Sequence, residues 1–564
     1  MLFLDSGTWI DLRRTEFERL RALITEAQGL DSEAVTGPDG ELEQRLRINR
    51  FQTSWWDELS VLGEVTSQSA RWQQNVAQLA ELGAPEPTEL PTGLQATLRE
   101  YQHEGLNWLA FLQRSGLGGV LADDMGLGKT VQVLALFLHV LENSQRQPGA
   151  AATRPRFLVI APTSVVRNWQ HEAARFAPDL RVVCIRETAA KRGSTIVDES
   201  ADADVIVTSY TLFRLEFDQY DQVEWTTLVL DEAQMVKNHR SKAYQCVRRL
   251  NAETKIAITG TPLENSLMDL WSLLSITAPG LYPDPKRFAA VYQRPIESGK
   301  APELRATLRR RIAPLMRRRT KSEVLTELPP KTELEVEIEL SSKHAKIYDT
   351  QLQQQRRKIL GLVGDLQKNR FEIFQSLTLL RQLSLDPGLI DEAHDAVGSA
   401  KLDRLVEDLE QVTAEGHRAL VFSQFTRFLG RARSRLDEAG IASAYLDGAT
   451  RKRDEAIESF KNGDVPVFLI SLKAGGFGLN LTEADYCFVL DPWWNPATEA
   501  QAVDRTHRIG QTNPVMVYRY VSSNTIESKV MELKARKAAL FSSVMDDGAL
   551  AGALSEDDIR ALFE

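Results

Sequence analysis

A glycine-rich segment before an apolar helix is the first place in the sequence where residue types and spacing could perform chemistry. Gly119-Val-Leu-Ala-Asp-Asp-Met-Gly-Leu-Gly-Lys-Thr130 has the pattern of a strand, a loop and a helix start. Glycines in such a loop let backbone N–H groups point at a phosphate, and the helix N-terminus adds positive potential. Lys129 would reach the β and γ phosphates of a nucleotide, and Thr130 would ligate Mg²⁺. The residues expected to bind the nucleotide are Asp124, Met125, Gly126, Leu127, Gly128, Lys129 and Thr130.

This phosphate loop (residues 123–130) departs from the strict pattern G-x-x-x-x-G-K-[ST] at one position. Asp123 stands where that pattern has glycine. For this segment taken alone, a glycine turn before a buried helix therefore stays open as an alternative.

Two adjacent carboxylates follow a second apolar run, Trp225-Thr-Thr-Leu-Val-Leu. Asp231 would hold Mg²⁺ through water, and Glu232 would polarise the attacking water as general base. Acidic residues at such a place can also do no more than favour the dipole of a helix N-terminus. Paired with the phosphate loop, however, the two carboxylates indicate a site for magnesium nucleotide hydrolysis.

The elements that must position these residues are short aliphatic runs that alternate with longer amphipathic stretches. One series, between about residues 95 and 278, includes Phe157-Leu-Val-Ile and Val205-Ile-Val; a second begins near Lys401 and includes Val467-Phe-Leu-Ile. Such alternation predicts parallel sheets covered by helices on both faces. The predicted fold class is α/β with two lobes, and ligands would bind at the carboxyl ends of the strands.

Turn-rich stretches suggest where the chain divides. Gly83-Ala-Pro-Glu-Pro and Leu90-Pro-Thr-Gly read as a linker, and Gly37–Gly40 interrupts a broadly helical pattern before it. We predict an acidic, mostly helical N-terminal segment, a first lobe, a helical insertion between the lobes, a second lobe and a C-terminal tail. Their predicted bounds are 1–90, 91–330, 331–397, 398–548 and 549–564.

The charge distribution leaves room for a polyanionic partner. The formal net charge of the 564 residues is -10, but residues 1–90 contain 16 Asp/Glu and 8 Arg with no Lys, so most of the acidity is N-terminal. Basic residues gather at Arg309–Arg311 and at Arg317–Arg319. Each run could equally be a solvated helical face.

Several protein classes are excluded by composition. Cys184, Cys246 and Cys487 are scattered without a C-x-x-C pair, which encodes neither a disulfide framework nor a zinc site. The most apolar stretch is far shorter than the roughly 20 residues that span a bilayer. The N-terminus lacks the basic region and cleavage site of a signal peptide. We therefore expect a cytoplasmic protein with no membrane contact and no structural metal.

Together with further motifs, the loop and the carboxylates resemble the Swi/Snf family within superfamily 2 of helicase-like ATPases, over about residues 94–540. Gln102 resembles the family's glutamine that reads the adenine edge. Residues that resemble its first two DNA-contacting motifs are Thr163, Ser164 and Ser209. Residues that resemble those coupling hydrolysis to lobe movement are Gln234, Thr259, Gly260 and Thr261. Gln234 stands where this family most often has histidine, and Glu264 where glutamine is usual.

The resemblance continues through the second lobe. Residues that resemble its DNA-contacting positions are Ser423, Gln424, Lys473 and Trp494. Gln501-Ala-Val-Asp-Arg-Thr-His-Arg-Ile-Gly-Gln511 resembles the family's last motif. Gln501 would contact the nucleotide, and Arg505 and Arg508, three apart on one helical face, would act as arginine fingers. In isolation, that spacing is also typical of a solvated face.

This resemblance implies two RecA-like lobes and a DNA-dependent ATPase that uses ATP and Mg²⁺. The inter-lobe segment, with Arg317-Arg-Arg-Thr-Lys and Leu328-Pro-Pro-Lys, favours a double-stranded DNA translocase that works without strand separation. We expect a monomer associated with the nucleoid of a bacterial or archaeal cell. A strand-separating helicase or RNA-dependent ATPase, and a scaffold without turnover, stay open as rival functions.

Overall fold

The computed structural model describes most of the chain between residues 87 and 532 and short pieces before it. The described ranges are 2–3, 9–10, 26, 32–36, 42–46, 51–52, 87–146, 154–163, 165–260, 266–298, 301–325, 327–360, 366–472, 479–492 and 496–532. Four predicted site residues, Ser164, Thr261, Lys473 and Trp494, lie outside these ranges, as does the predicted tail at 549–564.

The described part of the N-terminal segment is mainly strand. Four short strands form two antiparallel pairs: β1 (Leu2–Phe3) with β2 (Trp9–Ile10), and β3 (Ser32–Thr36) with β4 (Leu42–Leu46). The predicted break at Gly37–Gly40 lies between β3 and β4 in the sequence, and Pro-Asp-Gly is a typical signal for a turn that lets flanking strands pair. For these residues, the prediction of a mostly helical segment is wrong.

The chain divides into two compact units. One comprises residues 1–124 and 128–320, and the other residues 125–127 and 321–564. The division after residue 320 falls earlier than the predicted end of the first lobe at 330, and residues 1–90 group with the first unit.

A seven-stranded sheet forms the centre of the first unit. Its strands are β5 (Gly119–Leu121), β6 (Phe157–Ala161), β7 (Val182–Ile185), β8 (Val205–Ser209), β9 (Trp225–Leu230), β10 (Ala252–Ile258) and β11 (Met316–Arg317). The order is β11-β5-β10-β9-β6-β8-β7, and every pairing is parallel. Strands β5, β6 and β8 are buried along their whole length, as expected for a sheet covered on both faces.

Helices connect these strands. They are α1 (Glu100–Arg114), α2 (Lys129–Arg146), α3 (Val166–Phe176), α4 (Ala189–Arg192), α5 (Ile196–Asp202), α6 (Tyr210–Leu215), α7 (Phe217–Tyr220), α8 (Lys242–Arg249), α9 (Leu267–Thr277), α10 (Pro285–Phe288), α11 (Arg294–Glu297) and α12 (Pro302–Ile312). Several of these helices have a serine at the N-cap. The side chains of Ser209, Ser241 and Ser266 accept backbone N–H bonds from the first turns of α6, α8 and α9.

The second unit is built on a six-stranded parallel sheet. Its strands are β12 (Lys331–Ile338), β13 (Ala419–Ser423), β14 (Ser443–Leu446), β15 (Val467–Ser471), β16 (Tyr486–Val489) and β17 (Val515–Ser522), in the order β12-β17-β16-β13-β15-β14. Strand β12 forms the edge and pairs with β17 over its full length. The prediction of a helical insertion at 331–397 is therefore wrong for its first eight residues.

The second unit also contains the helices that surround its sheet. They are α13 (Lys321–Val324), α14 (Ser342–Leu360), α15 (Leu366–Leu385), α16 (Ala400–Ala414), α17 (Thr426–Glu438), α18 (Arg453–Lys461) and α19 (Pro496–Val503). Successive residues of β13 enter different cores, because side chains alternate along a strand. Val421 belongs to one apolar cluster, whereas Leu420 and Phe422 belong to another.

Two parallel sheets, each with helices around it, confirm the predicted α/β class with two lobes. Among the described residues, no helix is long and apolar enough to cross a bilayer.

A buried ion pair attaches the N-terminal segment to the first unit. Arg311, which is 2% exposed, donates to Glu26 through Nη2 at 2.8 Å and through Nε at 3.1 Å. The hydroxyl of Tyr292 also donates to Glu26. Nearby in sequence, Gln52 donates to the carbonyl of Leu281 at 3.3 Å. The acidic segment thus includes at least one carboxylate that is part of the fold.

Removing this carboxylate should destabilise the first unit. Glu26→Ala removes the carboxylate that accepts two bonds from the buried guanidinium of Arg311, and breaking such a buried pair costs about 3 kcal/mol. Calorimetry should show a lower-temperature unfolding transition for Glu26→Ala than for Glu253→Ala, in which an exposed carboxylate of the same unit is removed. Equal transitions for the two variants would contradict this anchoring role.

Candidate active site

The phosphate loop connects the carboxyl end of β5 to the N-terminus of α2. Gly126 and Gly128 have φ values of 87° and 77°, in the left-handed region that side chains with a Cβ rarely adopt. The Nζ of Lys129 donates to the carbonyls of Asp123 at 2.5 Å and Asp124 at 3.0 Å. The loop therefore holds its ammonium group at a helix N-terminus, where an anion is favoured.

The predicted adenine-reading residue, Gln102, lies against this loop. Gln102 is buried on α1, and its Oε1 accepts from the N–H of Arg99 at 3.0 Å. A Cβ added to Gly128 would lie 2.4 Å from Nε2 of Gln102, so a larger residue at this position would displace the glutamine. The structure thus brings Gln102 and the phosphate loop together, whereas contact with adenine stays a prediction.

Asp231 directly follows β9, and its carboxylate is fixed by two donors. The indole N–H of Trp169 donates to Oδ2 at 2.8 Å, and the N–H of Glu232 donates to Oδ1 at 2.9 Å. The hydroxyl of Tyr210 donates to the carbonyl of Asp231 at 2.9 Å. A side chain oriented in this way presents a defined carboxylate at the sheet edge, as a metal ligand or a ligand of metal-bound water requires.

The charges at this edge fit a divalent cation. Burial and the neighbouring Glu232 raise the pKa of Asp231 to about 7, although Trp169 and Lys129 act in the opposite direction. Burial also lowers the pKa of Lys129. Two adjacent carboxylates with one nearby ammonium group are an oxygen-rich set that Mg²⁺ would neutralise. Thr130, half-buried at the start of α2, supplies the hydroxyl predicted for the same ion.

Gln234 connects the carboxylate of Glu232 to the next motif. Its Nε2 donates to Oε2 of Glu232 at 2.8 Å, and its Oε1 accepts from the hydroxyl of Thr259 at 2.9 Å. Glu232 itself has a φ of 48°, unusual for a residue with a side chain. The backbone at Glu232 and the amide of Gln234 together aim the carboxylate of the predicted general base. Gly260, half-buried, follows Thr259 at the end of β10.

The two predicted arginine fingers lie after a helix rather than on it. Helix α19 ends at Val503, so the expectation that Arg505 and Arg508 share one helical face is wrong. The chain continues in turns, in which the hydroxyl of Thr506 donates back to the carbonyl of Val503 at 2.9 Å. Arg505 is 2% exposed and donates to the carbonyl of Leu479 at 3.1 Å. Arg508 is half-buried, as is Gln501 within α19.

The predicted DNA-contacting residues have different surroundings. Thr163 is exposed after β6, as a phosphate contact requires. Ser209 and Ser423 are buried, and each hydroxyl oxygen accepts a backbone N–H bond, from Leu212 and Phe425 respectively. The hydroxyl groups of these two serines hold the local backbone in place. This arrangement does not support the predicted contacts of Ser209 and Ser423 with DNA. The N–H of Gln424 donates to the carboxylate of Asp491.

Trp169 and Tyr210 are functional candidates that the sequence did not assign. Trp169 follows Ser164 by five residues and Tyr210 directly follows Ser209, so both lie in segments with predicted DNA contacts, but their polar atoms bond to Asp231. Their position in those segments was the available signal. The contact itself joins α3 and the start of α6 to the end of β9, which no local pattern predicts.

Comparison with known proteins places this site in a family. A model of the SNF2-related domain matches residues 101–389, and a model of the helicase conserved C-terminal domain matches residues 400–510. The chain belongs to the SNF2 family. The two matched ranges cover parts of both units. They include the phosphate loop, the two carboxylates and the segment with both arginines.

Relatives of this SNF2-family chain occur in bacteria and in eukaryotes. One is a Bacillus subtilis protein, YwqA, whose name describes it as a candidate ATP-dependent helicase/translocase; it is 36% identical over 479 residues, or 83% of this chain and 51% of that protein. Another is the human SWI/SNF-related matrix-associated actin-dependent regulator of chromatin subfamily A member 1, 36% identical over 80% of this chain and 44% of that protein. The chain thus spans about half the length of these relatives.

A solved structure is also similar to this SNF2-family chain. It is the Sulfolobus solfataricus SWI2/SNF2 ATPase core in complex with dsDNA, with 32% sequence identity and a TM-score of 0.41, covering 85% of this chain and 99% of that one.

Replacing Gln234 should lower the turnover rate without weakening the binding of ATP. Gln234→Ala removes the bridge between Glu232 and Thr259, so we expect nucleic-acid-stimulated turnover to fall about tenfold, the scale of losing a well-placed supporting residue. The KM for ATP should stay within about twofold, because the phosphate loop is unchanged. Steady-state phosphate release measures both quantities.

Histidine offers a matched test of the same bridge. Gln234→His keeps one donor and one acceptor and should restore most of the stimulated rate. A Gln234→Ala variant with an unchanged stimulated rate, or a histidine variant as slow as the alanine variant, would contradict the bridging role.

Proposed function

We propose that this SNF2-family chain hydrolyses ATP and couples hydrolysis to movement along double-stranded DNA, displacing bound protein without separating the strands. The observation that carries the proposal is the chain of contacts from Asp231 and Glu232 through Gln234 to Thr259. It links a hydrolysis site to the motif that resembles the family's coupling motif. A protein that binds nucleotide only to stabilise its fold has no need of such a bridge.

The residues around the phosphate loop and β9 each have a defined part in the proposed reaction. Backbone N–H groups of the phosphate loop and the ammonium group of Lys129 bind the β and γ phosphates. Glu232 accepts a proton from the attacking water, and Gln234 orients its carboxylate. Bound Mg²⁺, held by Thr130 and through water by Asp231, would neutralise charge on the phosphates.

The second unit supplies the proposed arginine. Arg508 is half-buried in a turn, whereas Arg505 is almost fully buried and donates to a carbonyl of its own unit. Arg508 is therefore the better candidate for stabilising charge on the γ-phosphate, and Arg505 for shaping the segment that carries it. A catalytic arginine contributed in this way makes hydrolysis depend on a conformational step.

The proposal that double-stranded DNA is the track rests on the resemblance to the family. Arg317–Arg319 and Lys321 belong to the inter-lobe segment that resembles the Swi/Snf branch. Contacts to phosphates do not read bases, so binding should be independent of sequence and sensitive to salt. Monomeric state and association with the nucleoid stay predictions from the sequence.

The choice of nucleic acid tests this proposal directly. Phosphate release should be stimulated more strongly by duplex DNA than by single-stranded DNA or RNA, with Lys129→Ala as the background. A triplex-forming strand bound to the duplex should be displaced only in the presence of hydrolysable ATP. Oligonucleotide unwinding, with stronger stimulation by single strands or RNA, would instead identify a strand-separating helicase or an RNA-dependent ATPase. Absence of stimulated release from the pure protein would favour a scaffold.

The two arginines should respond differently to substitution. Arg508→Gln should lower turnover by about 10³, the scale of an arginine finger, with the Kd for ATP nearly unchanged. Arg505→Gln should lower the melting temperature of the second unit, because it removes a buried donor. Arg357→Gln changes an exposed arginine of the same unit and is the matched control. A normal turnover rate in Arg508→Gln would exclude Arg508 from catalysis.

A further inference from the structure

Asp123, the residue that breaks the strict phosphate-loop pattern, is fully buried and paired with an arginine far away in sequence. The guanidinium of Arg319 donates to Oδ1 of Asp123 from Nε at 3.0 Å and to Oδ2 from Nη2 at 2.5 Å. Two parallel N–H bonds between a planar guanidinium and a carboxylate fix orientation as well as distance. The floor of the phosphate loop is therefore attached to residue 319.

Arg319 also contacts the other elements around the nucleotide. Its Nη2 donates to Oε1 of Gln132 on α2 at 3.0 Å, and its Nη1 donates to the carbonyl of Tyr101, next to Gln102. Its own carbonyl accepts from the N–H of Asp124 at 3.0 Å. One side chain thus joins the loop, the helix after it and the segment expected to read adenine.

The space for this cluster is made by a glycine. A Cβ on Gly105 of α1 would lie 1.8 Å from Oε1 of Gln132 and 2.9 Å from Nη2 of Arg319. Residue 105 must therefore be glycine for Arg319 and Gln132 to meet as they do. The close fit means that a displaced phosphate loop would displace Arg319 with it.

Lys321, two residues further along the chain, is attached to the segment with both arginines. Its Nζ donates to Oδ1 of Asp504 at 2.7 Å and to the carbonyl of His507 at 2.6 Å. His507 in turn donates from Nε2 to the carbonyl of Pro329 at 2.9 Å. The buried Lys321 thus holds the arginine segment (residues 504–508) at Asp504 and His507.

We propose that Arg319, Thr320 and Lys321 form a relay segment that transmits the nucleotide state of the phosphate loop to the arginine segment. Arg319 and Lys321 are positioning residues and would not touch the substrate. Each set of contacts lies within its own unit, and the covalent chain connects them. Two residues span at most about 7 Å when fully extended. A shift of Arg319 therefore pulls on Lys321 and, through it, on Asp504 and His507. The catalytic consequence rests on the proposed function, whereas the transmitted motion does not.

Hydrogen–deuterium exchange of the arginine segment tests the relay without requiring turnover. In the wild-type protein, saturating Mg²⁺ and ATPγS should slow exchange at residues 504–511 several-fold, because a nucleotide-bound loop fixes the relay. Arg319→Gln and Lys321→Gln should reduce this response to less than about twofold. Arg318→Gln, which changes the exposed neighbouring arginine, should keep the wild-type response.

Nucleotide binding and turnover separate positioning from a merely structural role. Arg319→Gln should raise the Kd for ATPγS about tenfold, because it loosens the loop. Lys321→Gln should leave that Kd within about twofold and lower kcat about tenfold. Lys321→Arg, which can still donate to Asp504, should recover most of kcat.

Lengthening the relay tests it even if the point variants fold poorly. Two glycines inserted after Thr320 leave both contact clusters intact but slacken the connection. The insertion should keep ATPγS binding and abolish the exchange response. The same insertion after Gly463, in an exposed turn of the second unit, should have neither effect.

Three outcomes would overturn the relay: an exchange response retained in the insertion variant, a response retained in both point variants, or none in the wild-type protein. If the wild-type response is present and depends on the relay, but no nucleic acid stimulates turnover, the relay stands and the proposed translocase function fails.

Discussion

Withdrawal of Asp231 and Glu232 from water beside Lys129 is the constraint around which the contacts of the candidate site are arranged. Adjacent carboxylates repel each other, and removal from water disfavours their charged forms. This is why the pKa of Asp231 is raised to about 7, even though Trp169 and Lys129 favour its ionised form. Magnesium and phosphate would add charge of both signs to the same place. Ligand binding and charge compensation would therefore be one event at this site.

The remaining contacts keep this site oriented and report on it. Gln234 is a neutral amide that both donates and accepts, so it can join a carboxylate to a hydroxyl where the family most often has histidine. The aspartate at position 123, where the strict pattern has glycine, has a similar explanation. Its carboxylate accepts two hydrogen bonds from the guanidinium of Arg319, which a glycine could not do. Both departures from common patterns thus preserve or add a connection between the site and its surroundings.

Local patterns predicted the elements better than the contacts between them. Buried parallel strands have continuous apolar runs, so both sheets could be located from the sequence. Strand β12 differs from the predicted helical insertion: Leu334, Val336 and Ile338 alternate with glutamates as in a strand, but a long helical pattern follows directly. The end of α19 before Arg505 was missed for lack of a glycine or proline at that point. The pairing of Asp123 with Arg319 joins residues 196 apart, and only the folded chain brings them together.

Magnesium and nucleotide together should compensate the charges of Asp231, Glu232 and Lys129. Thermal unfolding measures this most directly, with Mg²⁺ alone, ATPγS alone and both together, because a ligand stabilises the state that binds it. We expect the two together to raise the Tm by more than the sum of their separate effects. Asp231→Asn should remove this excess, whereas Asp218→Asn, at an exposed position, should retain it. An excess that survives in Asp231→Asn, or ATPγS that stabilises the wild-type protein equally without Mg²⁺, would contradict joint charge compensation.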